Sequence, residues 1–180
     1  MKIILVRHGE TEANYEGIMQ GQGLNYPLND KGIRQAQRLS QELKKTKIDV
    51  CFTSPLARTW QTAMILVGDR VEIKEDKRLI ERNLGEFEGV KRDKYDPIKY
   101  WDYNLNNKDN GVEGVKEIFE RCQNFLDNIY EKFPDSTVLI VSHMAVIRTL
   151  HHIISKSDLE SNLLTFKIDN CYCKECEYNK

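Results

Sequence analysis

No run in this 180-residue chain approaches the roughly 20 apolar residues that a membrane-spanning helix needs, so no membrane partner is expected. An excess of one charge is also missing. With 27 Lys and Arg against 28 Asp and Glu, the net charge is -1, and no surface is expected to gather nucleic acid by bulk attraction. Positive charge with a function must therefore be concentrated in a pocket. The apolar run Ile3 to Val6 stops at Arg7, too short for a secretion signal. The cysteines at 51, 122, 171, 173 and 176 are odd in number, and without such a signal they point to reduced thiols in a cytoplasm. A structural zinc site usually takes four ligands, often as two close pairs. Cys171, Cys173 and Cys176 have no second pair nearby, so the expectation is an edge strand that carries thiols, with no metal. Internal repeats, low-complexity tracts and linkers are absent. So are a glycine-rich phosphate loop and an aspartate cluster fit for magnesium.

What is present is ample apolar material. A hydrophobic fraction of 40% supports a real core, and the length suits one domain over 1–180. Apolar runs alternate with helical patterns, the signature of an α/β sheet covered on both faces. Strands are expected at 2–6, 48–53, 71–74 and 137–142, and from Phe166 onward. Helices are expected at 30–45, from Ser54 (as cap, with Pro55 at the first helical position) to about Val67, at 114–132 and at 144–155. Residues 79–112 are less regular, with Tyr95, Tyr100 and Trp101 expected to anchor a short helix.

Three of these strands end in reactive residues. The first runs into Arg7-His8-Gly9-Glu10-Thr11, the second into Ser54-Pro55-Leu56-Ala57-Arg58, and TVLIVS into His143. Ligands of open α/β sheets bind beyond the carboxyl ends of the strands. Parallel neighbours would therefore bring Arg7, His8, Arg58 and His143 to one crevice. Arginine forks suit a dianion, histidine can donate to oxygen or attack phosphorus, and a phosphoryl group is the natural occupant. The helix N-termini after Ser54 and His143 are expected to add backbone donors. Glu10 and Thr11 are expected to cap a helix, and Lys91 to Lys94 to form a solvated face.

These segments resemble the histidine phosphatase superfamily, also called phosphoglycerate mutase-like, over nearly the whole chain. Leu5-Val6-Arg7-His8-Gly9-Glu10-Thr11, Asn14, Gln20-Gly21 with Pro27-Leu28, Ser54 to Thr59 with Gln61-Thr62-Ala63, Leu79-Ile80-Glu81 with Gly85 and Glu88-Gly89, and Val141-Ser142-His143 occur in the family's order. The resemblance implies a three-layer α/β/α sandwich with a mostly parallel central sheet. It implies His8 as a nucleophile that is transiently phosphorylated, with Arg7, Arg58 and His143 on the phosphoryl oxygens and Glu81 as general acid. Asn14, Gln20, Gly21 and Met144 would join Arg7, Arg58 and His143 in holding substrate, a small phosphorylated metabolite, without a cofactor. The chain departs from the pattern at Met144-Ala145, where glycines are usual, and at Asn25, where an aspartate is usual. It is short, and its 90–112 region lacks the adjacent arginine pair of the family's mutases, which favours hydrolysis. A mutase-type transfer and a non-catalytic phosphoryl-binding module remain the alternatives. Oligomeric state is not legible.

Overall fold

The computed structural model describes residues 1–179; Lys180 lies outside them. Five strands form one sheet: β1 (Lys2–Arg7), β2 (Val50–Thr53), β3 (Ile73–Glu75), β4 (Thr137–Ser142) and β5 (Cys173–Glu177). Their order is β3-β2-β4-β1-β5, parallel except for β5, which runs antiparallel along the edge of β1. The helices are α1 (Glu12–Tyr15), α2 (Asp30–Glu42), α3 (Ala57–Val67), α4 (Pro97–Tyr100), α5 (Val115–Lys132) and α6 (Met144–Ile154).

Strand side chains alternate between two cores, one on each face. Ile3, Leu5, Val50, Phe52, Val138 and Ile140 pack with α5 and α6. Ile4, Val6, Cys51, Leu139 and Val141 pack with Leu39, Leu43, Ala63, Leu66 and Val67 on the side of α2 and α3. This is the expected three-layer sandwich. Burial on both faces explains why β1 and β4 read as unbroken apolar runs rather than alternating ones. The face of α5 follows helical spacing, with Ile118, Cys122, Phe125, Leu126 and Ile129 almost fully buried. Burying a side chain such as Phe125 is worth roughly 1.5–3 kcal/mol.

Register is what builds the site. Arg7 pairs with Ser142, and Thr53 with Val141, so β1, β2 and β4 end at one level. The amide of His8 still donates to the Ser142 carbonyl at 2.9 Å, and that of Ser54 to Val141 at 3.3 Å. His8, Ser54 and His143 are thus the first residues past three adjacent parallel strands.

Three expectations need correction. Helix α3 begins at Ala57 behind Leu56, and Ser54 does not cap it. The strand expected at 71–74 lies at Ile73–Glu75. The chain from Phe166 to Tyr172 is not strand; pairing with β1 begins only at Cys173. Cys173 and Cys176 lie on the edge strand β5, and Cys171 lies just before it. Cys171 and Cys173 pack on one face of the sheet and Cys176 on the other, so the three thiols do not converge. Among the described residues, no group of three His, Cys, Asp or Glu could hold a metal ion. No helix among them is long and apolar enough to cross a membrane.

Candidate active site

A cleft of about 540 Å³ opens at the carboxyl ends of β1, β2 and β4. Arg7, His8, Arg58 and Glu81 line it, together with Asn14, Gln20, Gly21 and Met144. His8 is only 2% exposed, and its Nδ1 donates to the Gly9 carbonyl at 2.7 Å. A carbonyl can only accept, so Nδ1 carries the proton and Nε2 keeps its lone pair. Burial pushes the pKa of His8 well below 6.5, and Arg7 and Arg58 push it further. The ring is therefore neutral near neutrality, as a nucleophile must be.

The cations around it are held by backbone. Arg7 donates from Nη1 to the Ile168 carbonyl at 2.8 Å, and its Nε is buried with no partner among the described residues. Arg58 donates to the carbonyls of Leu24 at 2.8 Å and Gly21 at 2.9 Å. Burial lowers both guanidinium pKa values to about 10, with Glu81 opposing the shift in each, so both stay charged at pH 7. Gly21 has φ +52°, and a Cβ there would run into the Glu88 carboxylate. Glycine is what allows its carbonyl to reach Arg58.

His143 is fully buried and lies against Arg58. The Nε of Arg58 donates to its Nδ1 at 3.2 Å, so the imidazole proton is on Nε2, which donates to Ser54 Oγ at 2.8 Å. Its ring lies 5.3 Å from that of His8, edge-on. The serine that sequence reading took for a helix cap is thus a support for this histidine.

Glu81 is half-buried on the far side of the cleft. Desolvation raises its pKa above 4.5, while the Arg82 amide, Arg58 and Arg7 hold the rise in check. Its Oε1 accepts from the amides of Arg82 at 2.9 Å and Ala145 at 3.2 Å. Among the described residues no ion pair joins Glu81 and Arg82; that guanidinium donates to the carbonyls of Glu113 and Tyr100. One backbone donor at each of the two helix N-termini is already engaged. Ala145 serves Glu81, and the Ala57 amide donates to Asn25 Oδ1 at 2.7 Å. The asparagine at position 25 thereby caps α3.

Thr11 caps α1 as expected, in a reciprocal box with Asn14, while Glu10 pairs with Lys31 instead. Gln20 Nε2 donates to Thr11 Oγ1 at 2.9 Å, and its Oε1 is buried and unpartnered among the described residues. Tyr95 and Trp101 line the cleft; Tyr100 is buried beneath. Arg92, read as part of a solvated face, reaches the cleft as well.

Sequence reasoning missed Arg148 and the segment Leu164 to Lys167, all of which line the cleft. Arg148 follows Ala145 by three residues on α6, the same helical face, so its place was legible. The segment at 164–167 carries no periodic signal and could not be placed locally.

Comparisons with known proteins place the chain in a family. Residues 3–180 match the model of the histidine phosphatase superfamily, branch 1. Phosphoserine phosphatase 1 of Hydrogenobacter thermophilus is 32% identical over 94% of this chain and 83% of its own length. Phosphoglycerate mutase-like protein 4 of Arabidopsis thaliana is 35% identical over 83% of this chain and 69% of its own. The solved structure of Bacillus stearothermophilus YhfR superposes with a TM-score of 0.86 at 30% identity, covering 99% of this chain and 91% of that one. With its sequence motifs, its fold and these matches in agreement, the chain belongs to branch 1 of the histidine phosphatase superfamily.

Proposed function

We propose that this protein is a metal-independent phosphomonoesterase that hydrolyses a small phosphorylated metabolite through a phosphohistidine at His8. The observation that carries the reading is the state of His8: neutral, with Nε2 unprotonated, at the floor of a cleft walled by Arg7, Arg58 and Glu81. In the first step Nε2 bonds to phosphorus as the ester P–O bond breaks, and Glu81 gives its proton to the departing oxygen. In the second, Glu81 takes a proton from water as that water attacks phosphorus and releases His8. Arg7 and Arg58 meet the charge on the transferring phosphoryl oxygens. His143 orients Arg58 and, 5.3 Å from the His8 ring, completes the clamp on the phosphoryl oxygens. Asn14, Gln20, Gly21 and Met144 form the near wall that positions substrate. The relative named as a phosphoserine phosphatase supports hydrolysis as the outcome. The five cysteines, all unpaired, suit a reducing compartment such as a cytoplasm.

The test is turnover of p-nitrophenyl phosphate in the presence of EDTA. Undiminished release of nitrophenol is expected. Inactivation by the chelator, reversed by added divalent metal, would contradict the reading.

A further inference from the structure

Glu81 is carried by a segment with no regular structure of its own. From Ile80 to Leu84 the backbone belongs to neither helix nor strand, so no ladder of hydrogen bonds fixes where the carboxyl group sits. A general acid must meet the leaving oxygen at hydrogen-bond distance, and a misplacement of about 1 Å can cost on the order of 100-fold in rate. The segment therefore needs tethers from elsewhere in the fold.

Helix α5 supplies them through Arg121. Its Nη1 donates to the Arg78 carbonyl and its Nη2 to the Glu81 carbonyl at 3.4 Å, so one guanidinium spans the chain from Arg78 to Glu81. The fork is itself held: Nε and Nη2 donate to the two carboxylate oxygens of Glu113 at 2.7 and 3.1 Å. With side chains 18% and 15% exposed, the pair is largely out of water. A two-pronged arginine–carboxylate bond in that setting fixes direction as well as distance. Glu113 then grips the far end of the segment. Its Oε2 accepts from the Asn83 amide at 3.2 Å, its own amide donates to the Asn83 carbonyl at 2.9 Å, and its carbonyl accepts from Arg82 Nε at 2.7 Å. One ion pair thus brackets Arg78 to Asn83. Arg121 holds Glu81 by the main chain, which leaves the carboxyl group to the amides of Arg82 and Ala145.

Resting on the phosphatase reading above, we infer that Arg121, with Glu113 as its partner, is a positioning residue that holds Glu81 where it protonates the leaving oxygen. Its work is done through Glu81. Its removal is then felt where an acid is needed and not where the leaving group departs unaided.

The experiment measures kcat/KM for benzyl phosphate, whose leaving oxygen needs a proton, and for p-nitrophenyl phosphate, whose leaving oxygen does not. In Arg121→Met the benzyl ester should lose roughly 10- to 100-fold, within the worth of a general acid. The nitrophenyl ester should be nearly unchanged. A purely structural role would lower both esters alike and would overturn the inference, as would unchanged rates on both. In a Glu81→Gln background, Arg121→Met should cost nothing further, because residues that act as one unit are not additive. A second full loss on benzyl phosphate there would refute action through Glu81. Should the Met variant fail to fold, Arg121→Lys, which keeps the charge but not the planar fork, decides by the same comparison. A loss confined to benzyl phosphate supports the assignment, and an equal loss or none refutes it. Glu81→Gln alone keeps the two claims apart. If it loses equally on both esters, the acid role in the phosphatase reading fails and this inference falls with it. If it discriminates between the esters and Arg121→Met does not, the acid role stands and the role of Arg121 alone is refuted.

Discussion

Replacing His8 with alanine should abolish phosphatase activity, with a fall on the order of 10⁴-fold or more, as expected when a covalent nucleophile is removed. No other group in the cleft can take over. His143 is buried against Arg58, its Nδ1 accepts from that arginine, and its protonated Nε2 faces Ser54. Neither nitrogen offers a free lone pair to the cleft. Among the described residues the side chain of His8 makes one hydrogen bond, to the adjacent Gly9 carbonyl, so the variant should fold. An unchanged thermal midpoint beside lost turnover would confirm that chemistry, not structure, was removed. Ordinary rates in the variant would mean that phosphorus is attacked by something else.

Glu81→Gln should slow hydrolysis of esters with poor leaving groups by about 10²–10⁴, the usual contribution of a positioned general acid. Esters of p-nitrophenol need no proton on departure, and the loss there should be much smaller. Equal losses on both would remove Glu81 from the acid role. The pH profile offers a second reading. The pKa of Glu81 lies above 4.5, so its acid form persists beyond the ordinary carboxylate range and is lost as pH rises through that value. The pKa of His8 lies well below 6.5, so its free base persists to more acid pH than an ordinary histidine and is lost as pH falls through that value. For alkyl phosphates, kcat/KM should therefore have a profile displaced to the acid side. The alkaline fall due to Glu81 should disappear in the glutamine variant. A profile with the same alkaline limb in both proteins would assign that limb to another group.

The sheet and much of the site were legible because strand ends are local events. The runs at Ile3 to Val6 and Val138 to Val141 are bounded by polar residues, and the residues that follow them are the reactive ones. That β2, β4 and β1 are parallel neighbours was a condition of that reading, and the sheet order meets it. Supports that act across long sequence distances were hidden. Ser54 meets His143 across 89 positions, and Arg7 meets the Ile168 carbonyl across 161. Neither contact leaves a trace in periodicity. The final strand was placed too early because its limits are set by pairing with β1, Val6 to Cys173 and Lys2 to Glu177, rather than by its own pattern. The residues before it act as a wall of the cleft, with Leu163 and Ile168 buried and their carbonyls accepting from Arg148 and Arg7. Glu81 and Arg82 are adjacent in the sequence, yet the Arg82 guanidinium turns to the carbonyls of Glu113 and Tyr100. The Glu81 carboxylate instead reaches the amides of Arg82 and Ala145, a geometry that only the tertiary fold creates.

The most direct test of the account is to quench the wild-type protein during turnover of a phosphomonoester, under alkaline conditions that preserve phosphohistidine, and map the modified peptide. The account predicts an acid-labile phosphoryl group on His8. Steady turnover with no phosphoenzyme at any quench time, or a phosphoryl group carried by another residue, would contradict it.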